Sequence, residues 1–178
     1  KKNGQVLEIT CVIPAGISTS RQESELVQNM LAQVGIQMKI DTVPSQDFFK
    51  RYITPGQFDI TMFSWFGTPF PISSTVSLYG QPLPASGADE PNVRQNYGRI
   101  GSDEIDRLYA QATQELDRQK AIDIANRIDT LIWEEVHSLT LYQRPELWAT
   151  KKTLANMGAL GMAFSDGPDY PNVGWVKP

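Results

Sequence analysis

His137 and Cys11 are the chain's only histidine and cysteine. A Ser-His-Asp hydrolase would need His137 beside a serine on a sharp turn, and no Gly-x-Ser-x-Gly segment occurs. A Cys-His pair would have to use Cys11, which falls among apolar residues inside an expected strand, where thiols are usually inert. His137 instead closes an expected helix, where the dipole favours a positive group. Zinc needs several His and Cys ligands, and one of each does not supply them. Asp166 and Asp169 could offer oxygens to calcium, but Asp166-Gly167-Pro168-Asp169 lacks the spaced acids of an EF-hand loop. Glu134 and Glu135 are neighbours on an expected helix, about 100° apart around it, so they do not imply a shared proton. Gly-x-Gly-x-x-Gly and Walker patterns are absent, and Gly98-Arg99-Ile100-Gly101 is too short for either. No catalytic residue, metal or cofactor is expected.

The aromatic residues are more informative. Trp65 and Phe66 stand at the exit of an expected central strand, Phe70 follows in a Pro-rich loop, and Tyr79 and Tyr97 come later. Tyr142 lies on a late expected strand, with Arg144 and Trp148 just beyond. Ligands of open α/β sheets bind outside the carboxyl ends of the strands, where aromatic rings give contact area at little entropic cost. The same rings could equally form a satellite core beneath long loops.

The elements that must position these groups alternate. Val6 to Ile13 reads as a buried strand. Ser20-Arg21-Gln22-Glu23 has capping-box spacing ahead of Leu26, Val27, Met30, Leu31 and Val34, and Gly35 suits the helix end. Ile36 to Val43 alternates as a half-buried strand, Ser45 opens a short helix carrying Phe48, Phe49, Tyr52 and Ile53, and Phe58 to Phe66 is a strand apolar on both faces. This β-α-β-α-β order predicts an α/β fold with a mixed, mainly parallel sheet and helices on both faces. Residues 67–101 form a long Gly/Pro-rich loop, with ten such residues in 35, and a short helix near Ile72–Tyr79. A late helical hairpin follows. Ser102 caps a helix with Ile105, Leu108, Tyr109, Ala112 and Leu116. A second helix over about Gln119–Val136 carries Ile124, Ala125, Ile128, Leu131 and Ile132. Ser138 to Gln143 reads as a strand, and residues 144–178 as mostly irregular.

At 178 residues, 40% hydrophobic and 20% charged, the chain can bury the core of a single domain and is neither a disulfide miniprotein nor disordered. No stretch approaches the roughly 20 apolar residues of a membrane span, and no apolar signal segment follows Lys1-Lys2-Asn3-Gly4. An export signal, if there is one, lies outside this sequence. The net charge of −4 argues against nucleic acid as a partner. Residues 101–150 hold ten acids and five bases, as a solvated helical face does.

Several phrases occur in a telling order: Gly35-Ile36 between helix and strand; Gly56-Gln57-Phe58-Asp59-Ile60 at a strand entry; Ser64-Trp65 at its end. Asn96-Tyr97-Gly98, then Ser102-Asp103-Glu104-Ile105-Asp106-Arg107-Leu108, lead into the hairpin, and Leu116-Asp117-Arg118 and Leu139-Thr140-Leu141-Tyr142 complete the set. Together they resemble the family 5 solute-binding proteins of ABC importers, the oligopeptide- and dipeptide-binding class, in their later lobe only. The resemblance implies a type II periplasmic-binding-protein-like lobe, with residues 1–178 a single ligand-binding lobe of a larger two-lobed protein. It also implies a monomer outside the cytoplasm, lipid-anchored in its full form, that hands solute to a membrane permease without making or breaking a bond. Cys11, with no apolar segment before it, is not expected to carry the lipid.

The implied ligand-binding residues are Trp65, Phe66, Gly67, Thr68, Tyr142 and Arg144. Trp65 matches the family's pocket tryptophan. Thr68 stands where peptide-binding members place the acid that pairs with the peptide's terminal amine. Either Asp89 or Glu90 takes over that role, or the ligand is not a standard peptide, because a buried unpaired ammonium is costly. Tyr142 resembles a tyrosine facing the cleft. Arg144 could reach a ligand carboxylate, or could pair with Glu146. Weak binding is expected of one lobe alone. The rival readings are a small-molecule hydrolase using His137 and a receptor lobe that binds a protein partner.

Overall fold

The computed structural model describes residues 4–85, 92–145, 147–158 and 170–176. The chain divides into two compact units, Lys1–Ser64 with Pro82–Arg99, and Trp65–Gln81 with Ile100–Pro178.

The first unit is built on a three-stranded parallel sheet of order β2-β1-β3. Strand β1 (Leu7–Pro14) pairs with β2 (Ile36–Val43) along its whole length, from Leu7 opposite Ile36 to Pro14 opposite Val43. The crossover between them is α1 (Ser18–Gln33), and Gly35 takes the positive φ of +80° that ends it. Alternation along β1 feeds two cores. Cys11 and Ile13 join Met38 under Val27 and Leu31 of α1, while Val12 joins Val43, Phe48 and Ile53 on the opposite face. The expected helix-sheet order and two-sided burial are both present.

The face of α1 differs from the expected one. The helix starts at Ser18 without a side-chain cap, so Ser20 lies inside it rather than at its cap. Ser20 and Ser24 are buried, and with Val27 and Leu31 they form the inward stripe at 4-3-4 spacing. Their small side chains bring the helix close to the strands. The Ser24 hydroxyl donates to the Ser20 carbonyl at 2.8 Å and lies 3.6 Å from the Cys11 sulfur. Leu26, Met30 and Val34 are left on the exposed side.

The opposite face is covered by α2 (Ser45–Asp47), which runs on as a π-helical turn over Phe48–Ile53. Phe48, Phe49 and Phe63 meet edge to face at 4.9–6.1 Å. The turn closes at Gly56, with φ of +80°. The Arg99 guanidinium fills the space beside that glycine and donates to the carbonyls of Thr54 at 2.7 Å and Tyr97 at 3.1 Å.

Strand β3 is only Ile60–Thr61, not Phe58–Phe66. Side chains occupy the ladder at both ends: the Asp59 carboxylate accepts the Thr10 N–H at 2.8 Å, and the Thr61 hydroxyl donates to the Val12 carbonyl at 2.8 Å.

The second unit is helical, apart from β4 (Leu154–Ala155) and β5 (Gly174–Trp175), which pair antiparallel in the region read as irregular. Helix α3 is Pro71–Tyr79, α4 Asp103–Gln114 and α5 Arg118–Glu134. The hairpin forms as expected. Ser102 caps α4 by accepting the Ile105 N–H, and Asp117 caps α5 by accepting those of Gln119 and Lys120. Its core is Ile105, Leu108, Tyr109, Ile128, Leu131 and Ile132, with Ile72, Val76 and Tyr79 of α3 packed against it. Leu116 is not part of this core. The helix stops at Gln114, and Leu116 falls in the connection, almost fully exposed.

Helix α5 ends in a Schellman arrangement: the His137 N–H reaches the Ile132 carbonyl at 3.3 Å and the Val136 N–H that of Trp133 at 3.1 Å. Val136 holds the left-handed position, φ +52°, that glycine usually takes. Relief of that strain makes Val136→Gly stabilising by about 1 kcal/mol in urea unfolding. A loss of stability would contradict it.

The expected strand Ser138–Gln143 is absent. Among the described residues no strand lies alongside it to complete a ladder.

Candidate functional site

The candidate binding residues belong to the second unit, on two segments: Trp65–Thr68 in the connection before α3, and Tyr142 with Arg144 after α5. Trp65 is 45% exposed, Phe66 82% and Tyr142 55%, and Arg144 is exposed as well. A Cβ built on Gly67 would meet no atom within 4 Å, so the backbone there is open to close approach. The alternative of a satellite core fails at Phe66, which has most of its surface in solvent.

The connection is fixed at its downstream end. The Thr68 hydroxyl accepts the Phe70 N–H at 3.2 Å, and the Phe70 carbonyl accepts the Ser74 N–H at 3.0 Å as α3 begins. Pro71 takes the first helical position, where a missing N–H costs nothing. Thr75 ties α3 to α4: its hydroxyl donates to the Pro71 carbonyl at 2.7 Å and lies 3.1 Å from the Tyr109 hydroxyl. Burial pushes the Tyr109 phenol up to about 12, so it stays a neutral donor. Past the other end of α3, Asp106 accepts the Gln81 N–H at 3.1 Å, and the Gln81 amide donates to Asp103 at 2.8 Å. Residue type alone does not mark these supports in the sequence. The acids of the first turn of α4 were their one visible signal.

A concave surface lies in the first unit. An open groove of about 310 Å³ sits beyond the carboxyl ends of β1 and β2, lined by Ile13, Pro14, Gly16, Ile17, Ser18, Arg21 and Thr42. Its place follows the general rule for open α/β sheets. None of the six candidate residues lines it. Arg21 is already paired with Glu25 at 2.6 Å.

The residues of the hydrolase reading are placed otherwise. The Cys11 thiol is buried, and desolvation pushes its pKa above the ordinary value despite the nearby Ser24 hydroxyl. His137 stacks edge to face on Tyr79 at 5.0 Å. Burial pulls its pKa below the ordinary 6.5, outweighing the attraction of Glu135, so the positive helix-end group expected from the sequence is disfavoured. A histidine depressed in the fold contributes its full stability above 6.5, and loses it as pH falls through the folded value. The urea midpoint should therefore fall from pH 7 to pH 5, and His137→Gln should flatten the part of that slope due to this group. An unchanged slope would contradict it.

Among the described residues no group of three or more His, Cys, Asp or Glu is arranged to hold a metal ion, and no helix is long and apolar enough to cross a membrane. Asp89, Glu90, Glu146, Asp166 and Asp169, invoked above as alternatives, lie outside the described residues.

No family model matches the chain. The oligopeptide-binding proteins OppA of Mycobacterium tuberculosis and Mycobacterium bovis are 37% identical to it over 177 residues, which is 99% of this chain and 28% of theirs. The chain thus spans little more than a quarter of these curated relatives. Among solved structures, the oligopeptide-binding protein of Thermus thermophilus complexed with a pentapeptide aligns over 86% of this chain and 27% of its own, with 26% identity and a TM-score of 0.71. NikA of Staphylococcus aureus, in complex with Ni(L-His)2, aligns over 76% of this chain and 28% of its own at 20% identity and a TM-score of 0.60. At that identity the likeness shows the fold alone. Over nearly its whole length the chain is homologous to a segment of the oligopeptide-binding proteins, and its fold is that of the family 5 solute-binding proteins.

Proposed function

We propose that this chain is a ligand-binding lobe of an importer's solute-binding protein. It works outside the cytoplasm as part of a longer, monomeric, lipid-anchored polypeptide, and takes up peptide-like solute. The observation that carries this reading is the 37% identity over 177 residues with proteins named for oligopeptide binding. The exposed rings of Trp65, Phe66 and Tyr142 support it, as surface held ready for an apolar ligand body. Binding is the whole chemistry. A second lobe closes over the ligand, and a membrane permease reads the closure. The ligand moves that equilibrium only through its greater affinity for the closed form.

Thr68 narrows the ligand. Its hydroxyl is engaged with the Phe70 N–H, and residues 62–70 contain no acid. This connection therefore offers aromatic faces and amides, with no carboxylate for a ligand ammonium. Gly67 and Thr68 orient the ligand's polar backbone, and Arg144 meets its carboxylate.

The test is a thermal-shift screen of the polypeptide expressed from its complete gene, with free peptides, N-acetylated peptides and oligosaccharides. A ligand in excess over its Kd raises Tm because it binds the folded form. Peptides are expected to raise it, acetylated ones no less than free ones, and Trp65→Ala is expected to weaken affinity at least tenfold, about 1.4 kcal/mol. Shifts from sugars alone would overturn the peptide reading.

A further inference from the structure

The two candidate ligand segments are far apart in sequence, Trp65–Thr68 ahead of α3 and Tyr142 with Arg144 after α5, and both belong to the second unit. A side-chain contact joins the elements that carry them: the ring of Tyr79, the last residue of α3, meets the His137 ring edge to face at 5.0 Å. We propose that His137 is a positioning residue for ligand binding, its ring coupled to Tyr79 so that the two segments are set together. The proposal rests on the lobe reading above.

The coupling has a rigid path on each side. Ile72, Val76 and Tyr79 follow one another at 4-3 spacing and form the face of α3 that packs against the hairpin core. Tyr79, the last of them, meets the residue just past the end of α5. At its other end α3 begins from the Phe70 carbonyl, which accepts the Ser74 N–H at 3.0 Å, and the Phe70 N–H is held by Thr68. A nine-residue helix is a rod of about 13 Å, so its last turn and its first move as one. On the other side, the left-handed turn at Val136 and the 3.3 Å bond from the His137 N–H to the Ile132 carbonyl fix the His137 backbone. The segment carrying Tyr142 and Arg144 leaves from that fixed point. Burial holds the imidazole below its ordinary pKa against the pull of Glu135, so at pH 7 it is neutral and meets Tyr79 as one aromatic ring meets another. A displacement of α3 therefore reaches the segment after α5 through the ring pair, and the reverse holds too.

The test uses the polypeptide expressed from its complete gene, with hydrogen exchange followed at pH 7 without ligand. His137→Leu is expected to speed exchange roughly fivefold or more in residues 66–70, across the ring pair from the substitution, as well as in residues 139–143. Tyr79→Leu is expected to speed it in residues 139–143. His137→Phe keeps a ring against Tyr79 and is expected to leave both segments at the wild-type rate. Where Tyr79→Leu loosens α4 as well, the two His137 variants decide alone. Loosening confined to the segment joined to the substituted residue overturns the proposal, and so does His137→Phe behaving like His137→Leu. Affinity for an equimolar pool of N-acetylated pentapeptides, read by thermal shift, should fall about threefold or more in His137→Leu and recover in His137→Phe. Equal peptide affinity in the wild type and His137→Leu also overturns the proposal. Crossed exchange effects with no peptide shift in the wild type leave the coupling standing and remove the peptide reading, and peptide shifts with exchange changes on one side only do the reverse.

Discussion

Phe48→Ala is expected to lower the unfolding free energy of the first unit by about 3–5 kcal/mol. Phe48 is 2% exposed and sits where the π-helical turn meets the sheet, against Val12, Val43 and Ile53. Truncation removes the ring's transfer free energy and opens a cavity that its neighbours cannot fill. Phe49 and Phe63 are held by each other and by Tyr97, at centroid distances of 5.3 to 6.0 Å. The edge-to-face contacts with Phe49 and Phe63 are lost too, each worth about 0.5–1.5 kcal/mol beyond buried area. Phe49→Ala is the control. Phe49 makes the same kind of ring contacts but is 42% exposed, so it should cost well under half as much. Urea unfolding followed by circular dichroism measures both. Equal losses would mean that the ring cluster, rather than burial against the sheet, carries the stability.

The contrast between those two residues shows how the sequence speaks. Strand and helix order in the first 61 residues is legible, because β1 ends in an apolar run, β2 alternates, and α1 has helical spacing with a glycine end. The facing of α1 is not. Leu26 and Met30 outscore Ser20 and Ser24 on any hydrophobic count, but the close approach of helix to strand admits only small side chains at those two turns. The same limit applies at Ser138–Gln143. Its alternation is that of a strand, and among the described residues no strand pairs with it. For the candidate site, the aromatic types and their place after the third strand were readable in advance. The hydrogen bonds that position them were not, because Thr75, Gln81 and Asp106 are ordinary surface residue types whose role depends on which helices meet.

Ile105→Ala is expected to cost about 2–5 kcal/mol in the second unit, with Ile105→Val at about 0.5–1.5 kcal/mol. Ile105 is 1% exposed, in the first turn of α4, and packs in the cluster that holds α5 and, on its edge, Ile72, Val76 and Tyr79 of α3. Its backbone N–H is also the one that the Ser102 cap receives, so the side chain is fixed at the point where the helix starts. The loss should reach beyond stability. Helix α3 begins at Pro71, one residue after the Phe70 carbonyl that anchors the Trp65–Thr68 connection, and it is held to α4 through Thr75 and Tyr109. A cavity beneath α3 lets that helix shift, and the aromatic connection shifts with it. In the complete polypeptide, Ile105→Ala should therefore weaken ligand affinity as well as lower Tm, although Ile105 is itself buried in the helical core. Tyr109→Phe separates the two effects: it keeps the packing, removes the hydroxyl contact with Thr75, and should cost only about 1 kcal/mol of stability. If it also weakens ligand binding, the seating of α3 sets the geometry of the binding connection. If affinity is unchanged in both variants, the connection holds its shape independently of α3.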